Sequence, residues 1–305
     1  MRQIIFIVGP TGVGKTEAGV LLAQQINGEI ISCDAMQVYR EVNIACDKPS
    51  PAMRNKVPHH LLDVVSVTET FDVAQYRQKA VLAINDITGR GKVPIIVGGS
   101  GMYMTVLLDG IGEVSPANKA LRLALEEKAK DPQQLSALNQ QLRQMDPAAA
   151  KKIHPHDAKR IVRALEVVMT KGEPISELQP KREGLWGHYD IVIFGLIRER
   201  WQLYRRAETR IDQMVEDGLV DEVRALSQWP LSRTAATLIG IPEVSGYLKG
   251  EYDLQRAKYL MKLNTRHYIK RQLTWFRRDE RIKWISIAAD QEIGDSALFA
   301  NYFRV

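Results

Sequence analysis

One segment near the start of this 305-residue chain restricts its fold more than any other. Residues 3–8, Gln-Ile-Ile-Phe-Ile-Val, form a continuous β-branched apolar run, the pattern of a strand covered on both faces. The run stops at Gly9-Pro10-Thr11-Gly12-Val13-Gly14-Lys15-Thr16, a full match to GxxxxGK[ST]. A helix is then expected from Lys15 to about Gln25. Strand, glycine loop and helix in that order make a phosphate cradle. Glycines let backbone N–H groups converge, the helix start adds its positive end, Lys15 adds a point charge, and the Thr16 hydroxyl can serve Mg²⁺. The motif calls for a di- or triphosphate ligand. It does not say which one, nor that ATP is hydrolysed.

The same α/β rhythm continues. Short apolar runs at Glu29–Ser32, Val93–Val97, Ile191–Leu196 and Ile282–Ile287 read as strands. Helical spacing is expected at Val73–Thr88, Arg200–Asp217 and Leu254–Phe276. Strands alternating with helices imply a parallel sheet flanked by helices. The interval 113–189 breaks the pattern. It predicts helices at Leu121–Lys128, Pro132–Met145 and Lys159–Met169, punctuated by residues such as Pro147, Gly172 and Pro180, and no strand. The expected organisation is a discontinuous core, 1–112 with 190–305, interrupted by a helical insertion at 113–189.

Charge sharpens this division. The net charge is +6, yet residues 1–112 are neutral, while 151–182 carry +4 and 255–283 carry +8. Clustered positive charge suits a phosphate-rich partner, and it equally suits a solvated helical face. Lys258, Lys262, Arg266 and Lys270 recur every four residues on one helical stripe, continued by Arg271, Arg277 and Arg278. Lys159, Arg160 and Arg163 lie within about one turn of the insertion. Cys33 and Cys46, the only cysteines, form no CxxC pair, so neither a disulfide framework nor a zinc site is expected. No signal-peptide pattern and no stretch near the ~20 apolar residues of a membrane span is found. A cytoplasmic protein without membrane contact is expected.

Asp34 follows the second strand at its carboxyl end, where ligands of open α/β sheets sit. There it is a general base, a Mg²⁺ ligand or a plain turn residue. Gln37 close behind it offers an amide that can pair with an adenine edge. Val97 is followed by Gly98-Gly99-Ser100-Gly101 rather than an acid, so a Walker B carboxylate of a standard ATPase is missing. This second glycine turn suggests another close approach of backbone to ligand, with Ser100 as a polar contact. Adjacent His59 and His60 point apart in most backbones and are read as structural rather than metal-binding.

Taken in order, these segments resemble the tRNA dimethylallyltransferases, also called tRNA isopentenyltransferases. The resemblance rests on the P-loop, Ile31-Ser32-Cys33-Asp34-Ala35-Met36-Gln37-Val38-Tyr39, Lys48-Pro49, Pro58-His59-His60-Leu61-Leu62-Asp63 and Gly98–Tyr103. It extends through Arg160-Ile161-Val162-Arg163-Ala164-Leu165-Glu166, Arg210–Met214 and Lys270-Arg271-Gln272-Leu273-Thr274-Trp275-Phe276-Arg277, and so covers nearly the whole chain. It implies a P-loop, nucleotide-kinase-like core with a helical insertion gripping the anticodon stem-loop of tRNA. It implies transfer of a dimethylallyl group from dimethylallyl diphosphate to N6 of adenine 37, in tRNAs reading codons that begin with U, with Mg²⁺ assisting. The implied catalytic residues are Asp34, Lys15, Thr16 and Arg210. The implied tRNA contacts are Asp34, Ala35, Met36, Gln37, Ser100, Arg122, Lys159, Arg160, Ile161, Val162, Arg163, Lys270, Arg271, Gln272 and Arg277. The chain is similar to the bacterial form, without a C-terminal zinc finger, and a monomer is expected. It departs from the family pattern at Ala35, usually Ser, and at Ala45-Cys46-Asp47, usually Gly-Thr-Ala. It departs again at Thr237–Glu243, where aromatic and basic members are absent.

Overall fold

Why the chain folds around its first strand is visible in burial. In a computed structural model that describes residues 2–112, 118–178, 183–288 and 293, Ile4 through Val8 have no exposed surface. That strand, β1 (Gln3–Val8), pairs in parallel with β4 (Val93–Gly98) on one side and β5 (Asp190–Ile197) on the other. With β2 (Gly28–Ser32), β3 (His59–His60) and β6 (Ile282–Ser286), the described residues form one parallel sheet in the order β3-β2-β4-β1-β5-β6. Register pairs Ile5 with Ile95 and Val192, so β-branched side chains stack across the middle of the sheet. The P-loop therefore leaves the sheet at its centre, from the carboxyl end of β1.

Helices flank the sheet. In chain order they begin with α1 (Lys15–Gln25), α2 (Pro51–Lys56), α3 (Val73–Gly89) and α4 (Gly101–Leu108). A helical run follows: α5 (Lys119–Lys128), α6 (Pro132–Met145), α7 (Pro147–Lys152), α8 (Ala158–Lys171) and α9 (Ile175–Leu178). Last come α10 (Arg200–Glu216), α11 (Leu219–Leu226), α12 (Ile241–Leu248) and α13 (Leu254–Phe276). Caps explain many of the boundaries. Asp72 accepts from the Gln75 amide in a capping box, Asp131 and Asp146 cap helices that open on proline, and Asp157 and Asp253 cap α8 and α13. By contrast, α1 opens on Gly14 in the left-handed region, at φ 102°, and no side chain accepts from its first turn. A cap there would compete with the phosphate that a P-loop is built to hold.

The chain divides into two compact units, Met1–Leu107 with Trp186–Val305, and Leu108–Leu185. The sequence-based margin at 113 adjoins residues 113–117, and Pro180 falls in 179–182; both stretches lie outside the described residues. The helical unit has its own core, in which Leu125, Leu138, Leu142, Ile161 and Leu165 are buried together. Short elements escaped the sequence pattern: α2, α7, α9, α11 and α12 are too brief to show a period, and β3 is two residues long. No helix among the described residues is long and apolar enough to cross a membrane.

Candidate active site

At the carboxyl ends of β1 and β2 the first unit encloses a cavity of about 920 Å³. Its wall includes Thr11, Gly12, Gly14, Lys15 and Thr16 of the P-loop and the whole segment Asp34-Ala35-Met36-Gln37. Arg206 and Arg210 enter from α10, and Tyr268 and Arg271 from α13. Val13 is buried and turns away from this space. The catalytic candidates Lys15, Thr16, Asp34 and Arg210 thus meet in one place, although Arg210 is far from the others in the chain.

The electrostatics of this cavity are unusual. Lys15 donates to the carbonyl of Pro10 at 2.9 Å, and burial pulls its ammonium down from 10.5 to about 8, against the attraction of Asp34. Burial pushes the Asp34 carboxyl above its ordinary value, opposed by the Met36 amide, which donates to Oδ1 at 2.9 Å, and by Lys15. A half-buried carboxylate made more basic in this way is a better proton acceptor. Burial also drives the Cys33 thiol up to about 12, so it stays protonated and inert beside Asp34.

Arg210 is held from two sides: Nη2 donates to Thr11 Oγ1 at 2.7 Å and Nη1 to Asp47 Oδ2 at 2.6 Å. Arg206, one turn earlier on α10, donates from Nε to the Gly12 carbonyl at 2.7 Å. Sequence reasoning passed over both Arg206 and Asp47. The signal for Arg206 was its i,i+4 spacing from Arg210, which places both guanidinium groups on one helical face. Asp47 was visible only as a departure from a pattern. Gln37 is engaged at both ends of its amide, accepting from Ser32 Oγ at 2.9 Å and donating to the Asp47 carbonyl at 3.1 Å.

Several of the expected contact residues are engaged within the protein. Gln272 is 5% exposed. Its Oε1 accepts from the Thr11 amide at 2.9 Å and its Nε2 donates to the Gly99 carbonyl at 2.9 Å, tying the P-loop to β4 through α13. The second glycine turn also packs tightly on protein, and Gly98 lines the cavity. A Cβ on Gly98 would stand 2.1 Å from the Cys33 carbonyl oxygen, and one on Gly99 2.3 Å from Gln272 Nε2. Ser100 is outside the cavity wall, its amide donating to Cys33 O at 3.0 Å.

The basic stripe also splits. Lys258 and Lys262 both pair with Asp212, at 2.6 and 2.7 Å, and Arg266 pairs with Glu208. These three are paired with two carboxylates of α10, which offset two of their three charges. Lys270, Arg271, Arg277 and Arg278 remain exposed, and the Arg271 guanidinium lies 5.7 Å from the centre of the Tyr268 ring. In the helical unit Ile161 and Val162 are core residues, 0% and 2% exposed, so their side chains cannot contact a polyanion. Lys159 and Arg160 are exposed, Arg160 pairing with Asp157. Arg122 and Arg163 both reach the buried Glu166 Oε2, at 3.1 and 2.8 Å, and are held side by side. His59 and His60 point to different partners, Val57 O and Glu29, as the sequence suggested.

The family model described as IPP transferase matches residues 37–279. The chain belongs to the IPP transferase family. Relatives named tRNA dimethylallyltransferase include one from Geobacter sulfurreducens, 42% identical over 94% of this chain and 93% of its own length. Another, from Thermotoga maritima, is 40% identical over 96% of this chain and 95% of its own length. Among solved structures, a full-length tRNA isopentenylpyrophosphate transferase from Bacillus halodurans is 36% identical with a TM-score of 0.72, covering 99% of this chain and 95% of that one. A eukaryotic dimethylallyltransferase acting on tRNA superposes with a TM-score of 0.80 at 29% identity, covering 98% of this chain and 76% of that one. The parallel sheet with flanking helices is thus the family's fold.

Proposed function

We propose that this protein transfers the dimethylallyl group of dimethylallyl diphosphate to N6 of adenine 37 in tRNAs reading codons that begin with U. One observation carries the reading: a carboxylate made more basic by burial, Asp34, shares a cavity with P-loop Lys15 and Thr16 and with Arg210. Such a cavity pairs a proton acceptor with groups suited to a diphosphate. In the reaction the bond between the allylic carbon and the diphosphate oxygen breaks as the carbon–N6 bond forms. Asp34 takes one N6 proton, and diphosphate leaves.

The chain's own groups meet each demand. Lys15, half-neutral near pH 8 in the free cavity, becomes fully charged beside a diphosphate and stabilises the leaving group. Arg210 reaches the same end of the cavity from α10, next to Thr11. The Thr16 hydroxyl, which lines the cavity, is a hard oxygen donor that fits Mg²⁺. Among the described residues no group of three or more His, Cys, Asp or Glu could hold an ion alone, so the remaining ligands would come from diphosphate and water. When bound, Mg²⁺ neutralises charge on the leaving diphosphate. Lys270, Arg271 and Arg277 are read as contacts to the tRNA backbone, as are Arg122, Lys159, Arg160 and Arg163 of the helical unit. An adenine must leave its stack to bring N6 to an allylic carbon in such a cavity.

The test mixes protein, Mg²⁺, labelled dimethylallyl diphosphate and undermodified tRNA. Label on adenine 37 supports the reading; ATP turnover without label transfer overturns it. Asp34→Asn is expected to lower turnover at least a hundredfold, within the usual range for a general base, and to spare tRNA affinity. Loss of tRNA binding instead would refute the base assignment.

A further inference from the structure

Outside the cavity, one carboxylate does more than pair with a neighbour. Glu222, on the first turn of α11, accepts three successive backbone N–H groups. Its Oε2 takes those of Asn43 at 2.7 Å and Ile44 at 2.9 Å, and its Oε1 takes that of Ala45 at 2.9 Å. Converging amides around one anion form a nest, and charge-assisted bonds of this length are the strong kind. The captured residues begin a tight turn, closed by Asp47 N to Ile44 O at 3.0 Å and Lys48 N to Asn43 O at 3.2 Å. Asp47 sits in that turn with a left-handed φ of 52°, a conformation that needs external support. Its carboxylate holds Arg210, whose other terminal nitrogen reaches Thr11 of the P-loop.

We propose that Glu222 is a positioning residue for Arg210, acting through the 43–47 turn and Asp47. Glu222 does not itself line the cavity, although Ala45, whose amide it binds, does. It fixes the backbone of the turn, the turn fixes the Asp47 carboxylate, and Asp47 holds the Arg210 guanidinium beside Thr11. An arginine already ordered gives up little freedom when an anion arrives, whereas a loose one must be immobilised. The proposal rests on the cavity being a diphosphate site, and its test separates the two.

Inorganic pyrophosphate is titrated into the full-length protein by calorimetry, for wild type, Glu222→Gln, Arg210→Ala and the double variant. Glu222→Gln keeps the side chain's length but turns an N–H₂ group toward the Ala45 amide. It is expected to weaken pyrophosphate about three- to tenfold, the cost of ordering one long side chain. In the Arg210→Ala background it is expected to change nothing, because the group it positions is gone. Unchanged affinity in the single variant, or equal weakening in both backgrounds, overturns the proposal. Amide hydrogen exchange of the wild type tests it without any variant. Asn43, Ile44 and Ala45 are expected to exchange at least about a hundredfold slower than open-loop amides, and fast exchange would sink the nest. A wild type that ignores pyrophosphate while these amides stay protected would refute the diphosphate reading and leave the tether standing.

Discussion

Replacing Lys15 by methionine is expected to make the ligand-free protein more stable, while ending diphosphate binding. The ammonium falls from 10.5 in a free chain to about 8 in the cavity, chiefly through burial. That difference of about 2.5 units, at about 1.4 kcal/mol each, means that holding the charge costs roughly 3 kcal/mol. A lysine with a lowered folded value destabilises the fold most where both states are charged, below pH 8. Between pH 8 and 10.5 the folded protein has lost a proton that the unfolded chain keeps, so stability rises with pH. Above that window the penalty is gone. Urea unfolding of wild type and Lys15→Met at pH 7 and at pH 10.5 isolates the effect, since other titrating groups cancel between the two proteins. The stability difference is expected to move by about 3 kcal/mol in favour of wild type as pH rises. Pyrophosphate should stabilise wild type and not the variant. A stability difference that does not change with pH would refute the argument that this charge is kept, at a cost, for a ligand.

Gln272→Leu strands the Thr11 amide and the Gly99 carbonyl, and buried unpaired groups cost about 1–3 kcal/mol each. Stability is expected to fall by roughly 2–6 kcal/mol, with weaker pyrophosphate binding; a wild-type unfolding midpoint would count against the tether. Gly98→Ala drives a Cβ to 2.1 Å from backbone at Cys33, where no side chain can swing aside. We expect little soluble folded protein, and a normal melting temperature would mean that β4 can shift. Lys270→Ala with Arg271→Ala is expected to lower the salt slope of tRNA binding by about 1 for each phosphate that the two side chains neutralise. Lys258→Ala should change that slope less, because the lysine is held in an ion pair on Asp212; filter binding over a salt series distinguishes the two outcomes.

Much of the fold was legible because its long elements carry clear periods. The helices at Pro132–Met145 and Leu254–Phe276 end at the residues that spacing and caps indicate. The P-loop was legible for the same local reason, since strand, glycines and helix start are adjacent in the chain. Short helices such as α11 hold too few residues to show a face, and so the tether at Glu222 left no trace in the sequence.

The basic stripe marks the limit most clearly. A repeat of Lys258, Lys262, Arg266 and Lys270 is one feature to a reader of sequence, yet Asp212 and Glu208 on α10 pair with the first three and offset two of their charges. Gln272 lies next to exposed Lys270 and Arg271 but is turned inward onto the P-loop. Local sequence alone marked the glycine loop between β1 and α1, the individual strands and the presence of Asp34 at a strand end, because each depends on neighbours within a few residues. Which charges face solvent, which arginine meets the glycine loop and how basic Asp34 becomes were decided only by tertiary structure. Those properties depend on burial and on charges brought together from distant parts of the chain.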